Sequence, residues 1–291
     1  MPSLKEVRNR IVSIGSTMQI TSAMKMVSAA KLKRAQDAIT QMRPYANKLK
    51  EILENVSASV DASENMYARK TDGKNILIIA ISSNRGLAGG FNANIIKKTN
   101  SIIKEKYANY DVTVLPVGKK VQDAFKRTKY IISGQDVPHH TNEVFDGLSF
   151  TKSLAISEKV MASFVNKQFD KVVLVYNQFK NAAVQVATEE QFLPIESSGE
   201  QGATTGDYIF EPSKEFIISD LIPRSLKTQF YKALLDSVAS EHGARMTAMH
   251  KATDNAKSMQ KDLKIMYNKA RQASITKEIL EIVGGAEALN G

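Results

Sequence analysis

Apolar residues at the start of the chain recur with the 3.5-residue spacing of a coiled coil over eight heptads, and thirteen of sixteen seam positions are apolar. One column is Leu4, Ile11, Met18, Lys25, Leu32, Ile39, Ala46 and Leu53, and the other is Val7, Ile14, Thr21, Ser28, Ala35, Met42, Leu49 and Val56. This spacing predicts one long helix over residues 1–57 whose seam faces a second helix. Ser3 and Glu6 have the sequence of a capping box, and Pro44 is expected to kink or locally break the helix.

The last part of the chain, residues 208–291, repeats this pattern. Ten of twelve positions at 3.5-residue spacing are apolar before the phase slips by one residue at Ile275. These positions are Leu235, Val238, His242, Arg245, Met249, Ala252, Ala256, Met259, Leu263, Met266, Ala270 and Ala273. A second long helix is therefore predicted, with a kink at Pro223 and an end weakened by Gly284 and Gly285.

The middle of the chain alternates short β-branched runs with helical stretches. The predicted strands are Asn75–Ser82, Asp111–Val117, Tyr130–Ser133 and Lys171–Asn177, with helices near Ala93–Tyr107 and Leu154–Gln168 and an edge hairpin at Asn181–Phe192. This order is typical of a Rossmann-like α/β domain with a mostly parallel sheet. It predicts a central domain over residues 75–207, which a polar linker over 58–74 joins to the first helix.

Two long helices that flank a folded domain pair most simply with each other. The predicted fold is therefore α/β plus a long antiparallel coiled coil. If Val56 lies level with about residue 211, an equal rise per residue places Leu4 level with about Leu263. Roughly 25 C-terminal residues then lack a partner helix, yet they carry an apolar stripe of Ile275, Ile279, Ile282 and Leu289. Since such a stripe in water is an exposed hydrophobic patch, we expect another protein to cover it.

The net charge of +10 is concentrated at the start of the chain, where residues 1–57 hold ten Lys and Arg against four Asp and Glu. A basic helix binds nucleic acid, anionic lipid or an acidic protein surface, or is simply solvated. A nucleic-acid-binding coiled coil is thus an alternative function, although the segment has one aromatic residue, Tyr45, and the chain has no Trp. The chain also has no Cys, which excludes disulfides and thiol-ligated metals. No apolar run reaches the length of about 18 residues that a membrane span needs.

Polar side chains interrupt the first seam at Thr21, Lys25 and Ser28. Two explanations stay open, because polar seam positions can specify register or can form a stretch shaped for an outside partner. The neighbouring Met24 and Met26 are flexible side chains that suit a surface meeting changing partners.

Candidate chemistry is sparse in the central domain. The glycine-rich run Ser83–Phe91 follows the first predicted strand, so it is either a tight turn or a phosphate-binding loop. It matches neither GxGxxG nor GxxxxGK[ST], and an enzyme that binds a nucleotide at Arg85–Gly90 remains a third alternative. His139 and His140 lack a patterned third ligand. We therefore predict no metal, no cofactor and no catalytic residue.

Four stretches of the chain resemble motifs of the gamma subunit of F-type ATP synthase, in its bacterial form. They are Gln19–Leu32, Ser83–Asn92, the pair of segments Ala244–Met249 and Ala252–Asn255, and Tyr267–Ala286. The last is the most specific, because it contains I-T-x-E-x-x-E followed by G-A. The second departs from the family pattern at Asn84, where Asp is expected, whereas Ala88 stands where a small residue or Cys is expected. The chloroplast regulatory insert with its cysteine pair is absent.

The resemblance implies a non-catalytic rotor shaft that turns inside a hexamer of three alpha and three beta subunits. Implied beta contacts are Met24, Lys25, Arg245, Arg271, Gln272, Thr276, Glu278 and Glu281, and implied residues in an apolar sleeve of the hexamer are Ile275, Ile279, Ile282 and Leu289. Tyr208 and Glu211 are implied contacts to the c ring or the epsilon subunit. One copy per complex, no bound nucleic acid and a peripheral place on the cytoplasmic face of the bacterial inner membrane are also expected.

Overall fold

The computed structural model describes residues 3–59, 66–69, 71, 73–132, 138, 141–195 and 217–290. It divides into two compact units. The helical unit comprises Met1–Ser28 with Met246–Gly291, and the α/β unit comprises Ala29–Arg245. Within the described ranges, no helix is both long and apolar enough to cross a membrane.

The first helix, α1, spans Leu4–Ser59 and begins where the sequence predicts. Ser3 Oγ accepts a hydrogen bond from the backbone N–H of Glu6 at 3.2 Å. The carboxylate of Glu6 accepts from Arg10 Nη2 at 3.1 Å, so it bonds one turn onward rather than back to Ser3. The predicted local break at Pro44 is absent, because α1 continues through this residue. Pro44 is exposed, so water can reach the carbonyl that its missing N–H leaves free.

A four-stranded sheet forms the centre of the α/β unit, in the order β2-β1-β3-β4. Its strands are β1 at Asn75–Ile81, β2 at Asp111–Val117, β3 at Lys171–Phe179 and β4 at Gln185–Leu193. β1 pairs in parallel with β2 and β3, whereas β3 and β4 are antiparallel. This confirms the predicted, mostly parallel α/β domain.

Both faces of the sheet are covered, as an apolar central strand such as β1 requires. Successive side chains of a strand point to opposite faces. Leu77, Ile79 and Ile81 accordingly belong to one core, and Ile76 and Ile78 to the other. The first core contains residues of helix α4, at Phe150–Val165, and the second contains residues of α2, at Phe91–Ser101, and α3, at Lys119–Phe125. α3 was not predicted.

Two strand predictions change in detail. Tyr130–Ser133 is reduced to a single parallel bridge between Ile131 and Val114. The predicted hairpin at Asn181–Phe192 is instead the second arm of a larger hairpin, in which β4 pairs along β3. Asn181 Oδ1 accepts bonds from the backbone N–H groups of Ala183 and Val184, at 2.9 and 2.8 Å, so the Asn side chain builds the turn between the strands.

The last helix, α5, spans Ile222–Asn290 and follows a π-helical turn at Ile217–Leu221. Pro223 is its second residue and directly follows the π-helical turn, so the irregular stretch lies at the start of the helix, where the sequence predicts the effect of this proline. The helix continues through Gly284 and Gly285, around which no atom lies within 4 Å of an added Cβ.

Candidate partner-binding surfaces

The helical unit is built on a seam between α1 and α5. Its buried side chains are Val7, Thr21, Ser28, Met249 and Ala256. Thr253 Oγ1 donates a hydrogen bond to Thr21 Oγ1 at 2.8 Å. The polar interruption of the seam therefore contains a satisfied polar pair. This supports register specification as the role of Thr21, because the pair forms only when these two residues face each other.

Two contacts define how the helices are aligned. Thr21 faces Thr253, and a Cβ added to Gly15 would lie 3.0 Å from Nε2 of Gln260. Moving six residues back on α1 thus moves seven forward on α5, so the helices are antiparallel, as predicted. Equal rise then places Leu4 level with about Arg271. The sequence predicts Leu4 level with Leu263, which is wrong by about two helical turns. That prediction counts from Val56 opposite residue 211, and the heptad pattern does not determine how the two helices are aligned there.

The inner face of α5 also differs from the predicted column. Met259 and Met266 are 54% and 48% exposed, whereas Gln260 and Tyr267 are half-buried. Because a straight helix has 3.6 residues per turn, the facing position drifts by one residue relative to a strict heptad. Gly15 leaves space for the amide of Gln260 at one of these positions.

The apolar tip, defined as Ile275, Ile279 and Ile282, lies on α5 beyond the level of Leu4. These side chains are 48%, 54% and 71% exposed, and Leu280 and Val283 beside them are exposed as well. The side chain of Leu289 lies outside the described residues. The prediction of an exposed apolar stripe is therefore confirmed for the three isoleucines within the described part of the chain. It is the largest run of exposed apolar side chains on α5 among those described.

The polar residues implied for partner contact share this segment of α5. They are Arg271, Gln272, Thr276, Glu278 and Glu281, and all are exposed. Glu281 forms an i,i+4 ion pair with Lys277 at 3.4 Å. Tyr208 and Glu211 lie outside the described residues.

Met24 and Lys25 on α1 are half-buried. Their neighbours Ile20, Met26 and Val27 are more exposed, at 60%, 64% and 57%. Sequence reasoning missed Ile20 and Val27 because it followed only the seam columns. The signal that could have found them is the presence of large apolar residues between those columns.

Arg245 is placed differently from a residue on an open contact surface. It is 8% exposed, and its Nη1 forms an ion pair with Glu241 Oε1 at 2.6 Å. Burial raises the pKa of Glu241, while Arg245 acts in the opposite direction. Burial, then Arg245 and Lys31, lower the pKa of His242 to about 4, so this histidine is neutral at physiological pH.

The glycine-rich run at Ser83–Phe91 forms a turn that hydrogen bonds close at its two ends. Ser83 N–H donates to Asn92 Oδ1 at 3.0 Å, and Phe91 N–H donates to Ala88 O at 3.1 Å. Asn94 N–H in turn donates to Gly90 O at 2.8 Å. These hydrogen bonds fit the tight-turn interpretation of the run.

A buried carboxylate lies where α5 meets the sheet. Asp236 is 2% exposed, and its Oδ1 has no hydrogen-bond partner in the described part of the chain. Burial raises the pKa of Asp236 to about 6, against the opposing effect of Lys232 and Arg43 and with the added repulsion of Glu190. The fold therefore favours the neutral form of this carboxyl group more than water does.

We expect Asp236→Asn to stabilise the chain at pH 7.5. The folded pKa of about 6 lies above the unfolded value of about 3.9. The unfolded state therefore releases this proton first, and stability falls as the pH rises between these values. The difference of about two units corresponds to about 3 kcal/mol. Urea unfolding of wild type and variant at pH 4 and pH 7.5 measures this, with the gap in unfolding free energy widening at the higher pH.

Asp220→Asn is the matched control, since Asp220 is half-exposed and pairs with Arg224 at 3.1 Å on the surface. It should change stability by under about 1 kcal/mol at either pH. A difference in unfolding free energy between wild type and Asp236→Asn that does not change with pH would contradict the raised pKa of Asp236.

Comparison with known proteins identifies the family. A family model described as ATP synthase matches residues 3–289. The ATP synthase gamma chains of Christiangramia forsetii and Flavobacterium johnsoniae are 58% and 56% identical to this chain, and each alignment covers the full length of both sequences.

Solved structures agree with this family. A chain from the Tetrahymena thermophila mitochondrial ATP synthase central stalk and c-ring is 27% identical, with a TM-score of 0.57 over 80% of this chain and 99% of that one. A chain from the Euglena gracilis mitochondrial ATP synthase shares the fold, with a TM-score of 0.68 and 21% identity over 98% of this chain and 94% of that one.

The two terminal helices pair with each other, an α/β domain lies between them in sequence, and the full-length relatives are all of one kind. Together these features define a subunit of an ATP synthase. More narrowly, the chain belongs to the gamma subunits of the bacterial F-type enzyme, and its role is that of the central stalk. The alternative of a nucleic-acid-binding coiled coil finds no support among these relatives.

Proposed function

We propose that the chain is the rotating shaft of the synthase and has no catalytic site of its own. Proton flow turns the membrane ring, and the shaft carries this rotation into a hexamer of three alpha and three beta subunits. The shaft drives each beta subunit through its catalytic states because it contacts the alternative beta conformations unequally. A shaft with equal affinity for every conformation could shift none of them.

The observation that carries this proposal is the exposed apolar tip of α5. Three isoleucines at 48% to 71% exposure lie beyond the level at which α1 begins. Burying the exposed part of each in a sleeve would contribute about 1–2 kcal/mol, roughly half the value for a fully exposed side chain. An apolar sleeve also suits a bearing, since apolar contacts are non-directional and do not fix one rotational angle.

The polar residues around the tip and on α1 are proposed contacts to the beta subunits. On α5 these are Arg271, Gln272, Thr276, Glu278 and Glu281, and on α1 they are Met24 and Lys25. Their exposure or partial exposure on the helical unit supports this role. Arg245 is also proposed to act on the beta subunits, although its buried guanidinium favours an indirect action.

The remaining partners are proposed to bind other parts of the chain. The c ring and the epsilon subunit would bind near Tyr208 and Glu211 and along the α/β unit, with one shaft per complex. This places the chain on the cytoplasmic face of the bacterial inner membrane as a peripheral subunit, without a cofactor of its own.

The absence of cysteine from the sequence allows a direct test of rotation. Lys97→Cys introduces a single thiol at an exposed position of α2, to which a gold particle can be attached. An affinity-tagged complex carrying this variant should copurify with alpha, beta, epsilon and c subunits. In the presence of ATP, the particle should rotate in steps.

The same complex with a non-hydrolysable ATP analogue is the control and should show no rotation. Two results would reject the proposal. One is purification of the chain without the other subunits, and the other is a particle that stays still while the complex hydrolyses ATP.

A further inference from the structure

Hydrogen bonds, in addition to the apolar core, attach α5 to the β3–β4 hairpin of the α/β unit. Gln229 Nε2 donates to Glu190 Oε1 at 2.7 Å and to the carbonyl of Gln191 at 3.1 Å. Further along α5, Ser240 Oγ donates to the carbonyl of Asn177 at 2.9 Å. Gln229 and Ser240 are about three helical turns apart, so both side chains lie on the face of α5 that meets the sheet.

The acceptors on the hairpin are held in place by other parts of the α/β unit. Glu190 Oε2 accepts a hydrogen bond from the hydroxyl of Tyr176 at 2.6 Å. Asn177 is fully buried, and its Nδ2 donates to the carbonyl of Phe91 at 3.1 Å, at the start of α2. The bonds from Gln229 and Ser240 therefore end on residues that are fixed independently of α5.

The backbone of α5 also comes close to the turn of the hairpin. A Cβ added to Gly243 would lie 3.2 Å from Ala182 Cα and 3.3 Å from its carbonyl oxygen, which is closer than ordinary van der Waals contact. Gly243 is near the end of the α/β unit, whose last residue is Arg245. The contacts between α5 and the hairpin thus extend over about four turns of the helix.

Hydrogen bonds restrict α5 in a way that its apolar contacts do not. Apolar burial is non-directional, so the packing of Phe230 against Phe192 holds α5 on the sheet without strongly favouring one angle about the helix axis. A hydrogen bond, in contrast, weakens steeply when its length or angle departs from the optimum. A twist of α5 by about 30° would move an atom at the helix surface, about 5–6 Å from the axis, by about 3 Å. Such a twist would break all three bonds.

Burial makes the bond of Ser240 especially difficult to replace. Ser240 and Asn177 are both fully buried, so a twist would leave a hydroxyl and a carbonyl without a protein partner and without water. Since the desolvation of both groups would then be uncompensated, this bond favours one rotational angle of α5.

We propose that Gln229 and Ser240 are positioning residues that fix the rotational angle of α5 on the α/β unit, so that this unit and the helix turn together. This rests on the proposed shaft function and names the contacts that make the shaft resist twisting. It assigns opposite chemistry to two parts of one helix. Directional polar contacts fix the angle at the hairpin, whereas the apolar tip is free to turn in its sleeve.

The test measures how firmly α5 is attached, in the assembled complex that carries the Lys97→Cys chain with its gold particle. During the pauses between ATP-driven steps, the hexamer holds the tip of α5, and the angular spread of the particle reports the twist between α5 and the α/β unit. Ser240→Ala with Gln229→Met removes the three hydrogen bonds and keeps side chains of similar size. We expect it to raise the angular variance about twofold, because thermal variance is inversely proportional to stiffness. Subunit content and the rate of ATP hydrolysis should stay at the wild-type level.

Gln229→Lys separates the loss of hydrogen bonds from the loss of packing. The ammonium group of a lysine can donate both to the Glu190 carboxylate and to the carbonyl of Gln191, whereas a methionine can donate to neither. Gln229→Lys should therefore keep the wild-type variance, and Gln229→Met should raise it. Equal variances in these two variants would overturn the role of Gln229.

Thr228→Val with Ser153→Ala is the matched control. Both side chains are buried, and their hydroxyls donate to carbonyls of their own helices. Thr228 Oγ1 donates to Arg224 O at 2.8 Å, and Ser153 Oγ donates to Phe150 O at 2.6 Å. The control deletes buried hydrogen bonds without removing one between α5 and the sheet, so it should keep the wild-type variance.

A wild-type variance in Ser240→Ala with Gln229→Met would overturn the proposal. An equal rise in the control would also overturn it, because this would indicate a general loosening of the core. If the double variant does not assemble, Ser240→Ala against Ser153→Ala gives the same comparison, since each deletes one buried serine hydroxyl. These failures are distinct from failure of the shaft function, which would appear in the wild-type chain as missing subunits or missing rotation.

Discussion

Replacing Ile279 and Ile282 of the apolar tip with aspartate is expected to abolish ATP-driven proton pumping while leaving the chain folded. The two side chains are 54% and 71% exposed, so their replacement removes little packing within the chain. In an apolar sleeve, each carboxylate would lose its hydration, at several kcal/mol per ion. Together they should weaken insertion by more than about a thousandfold. Recovery of the intact complex and acidification of inverted membrane vesicles measure the effect, and thermal unfolding of the isolated chain should be unchanged.

Asn255→Asp with Asn268→Asp provides the charge-matched control for the tip. Both asparagines are exposed on α5 before the tip begins, so the variant adds two negative charges to the same helix without placing them in the proposed sleeve. It should assemble and pump. If the tip variant assembles and pumps as well as this control, the sleeve and the bearing role of the isoleucines would be untenable.

Phe230→Ala is expected to lower the free energy of unfolding by about 3–5 kcal/mol, the range for deleting a buried aromatic ring. Phe230 is fully buried, and its ring centroid lies 6.2 Å from that of Phe192 on β4. It belongs to the core that joins the first turns of α5 to the sheet. Chemical unfolding measures the loss. In the complex, the loosened attachment of α5 should lower the ratio of ATP-driven proton pumping to ATP hydrolysis, since a shaft must be rigid to carry rotation.

Phe150→Ala is the partner experiment for this prediction. Phe150 is 39% exposed and touches Tyr231 edge-on, at a centroid distance of 5.5 Å. Its loss should cost only about 1 kcal/mol, because most of the cost of deleting an aromatic ring comes from the cavity that it leaves in a closed core. Equal losses in the two variants would show that Phe230 does not anchor the helix.

Much of the fold could be predicted because its signals are local. The heptads of α1 and the β-branched runs of β1, β2 and β3 each reflect which face of an element is buried, and this face repeats along the chain. β4 was placed at the edge of the sheet, but not its pairing with β3. The helix α3 was missed because seven residues carry too few turns for a clear period.

The candidate site divides in the same way. The unpaired isoleucines of the tip were visible as a stripe that continues past the length of the partner helix. The buried pair of Arg245 and Glu241 was not visible, because its burial depends on a loop some 160 residues away in sequence.

The sequence by itself determined that two long amphipathic helices flank an α/β domain and that the chain ends in an uncovered apolar stripe. Only the tertiary structure decided the register of α1 against α5, the choice of Gln260 and Tyr267 over Met259 and Met266 for the inner face, and the burial of Arg245 with Glu241. The reason is physical. Hydrophobic periodicity records which side of an element avoids water, whereas register and burial depend on which distant atoms fill that side.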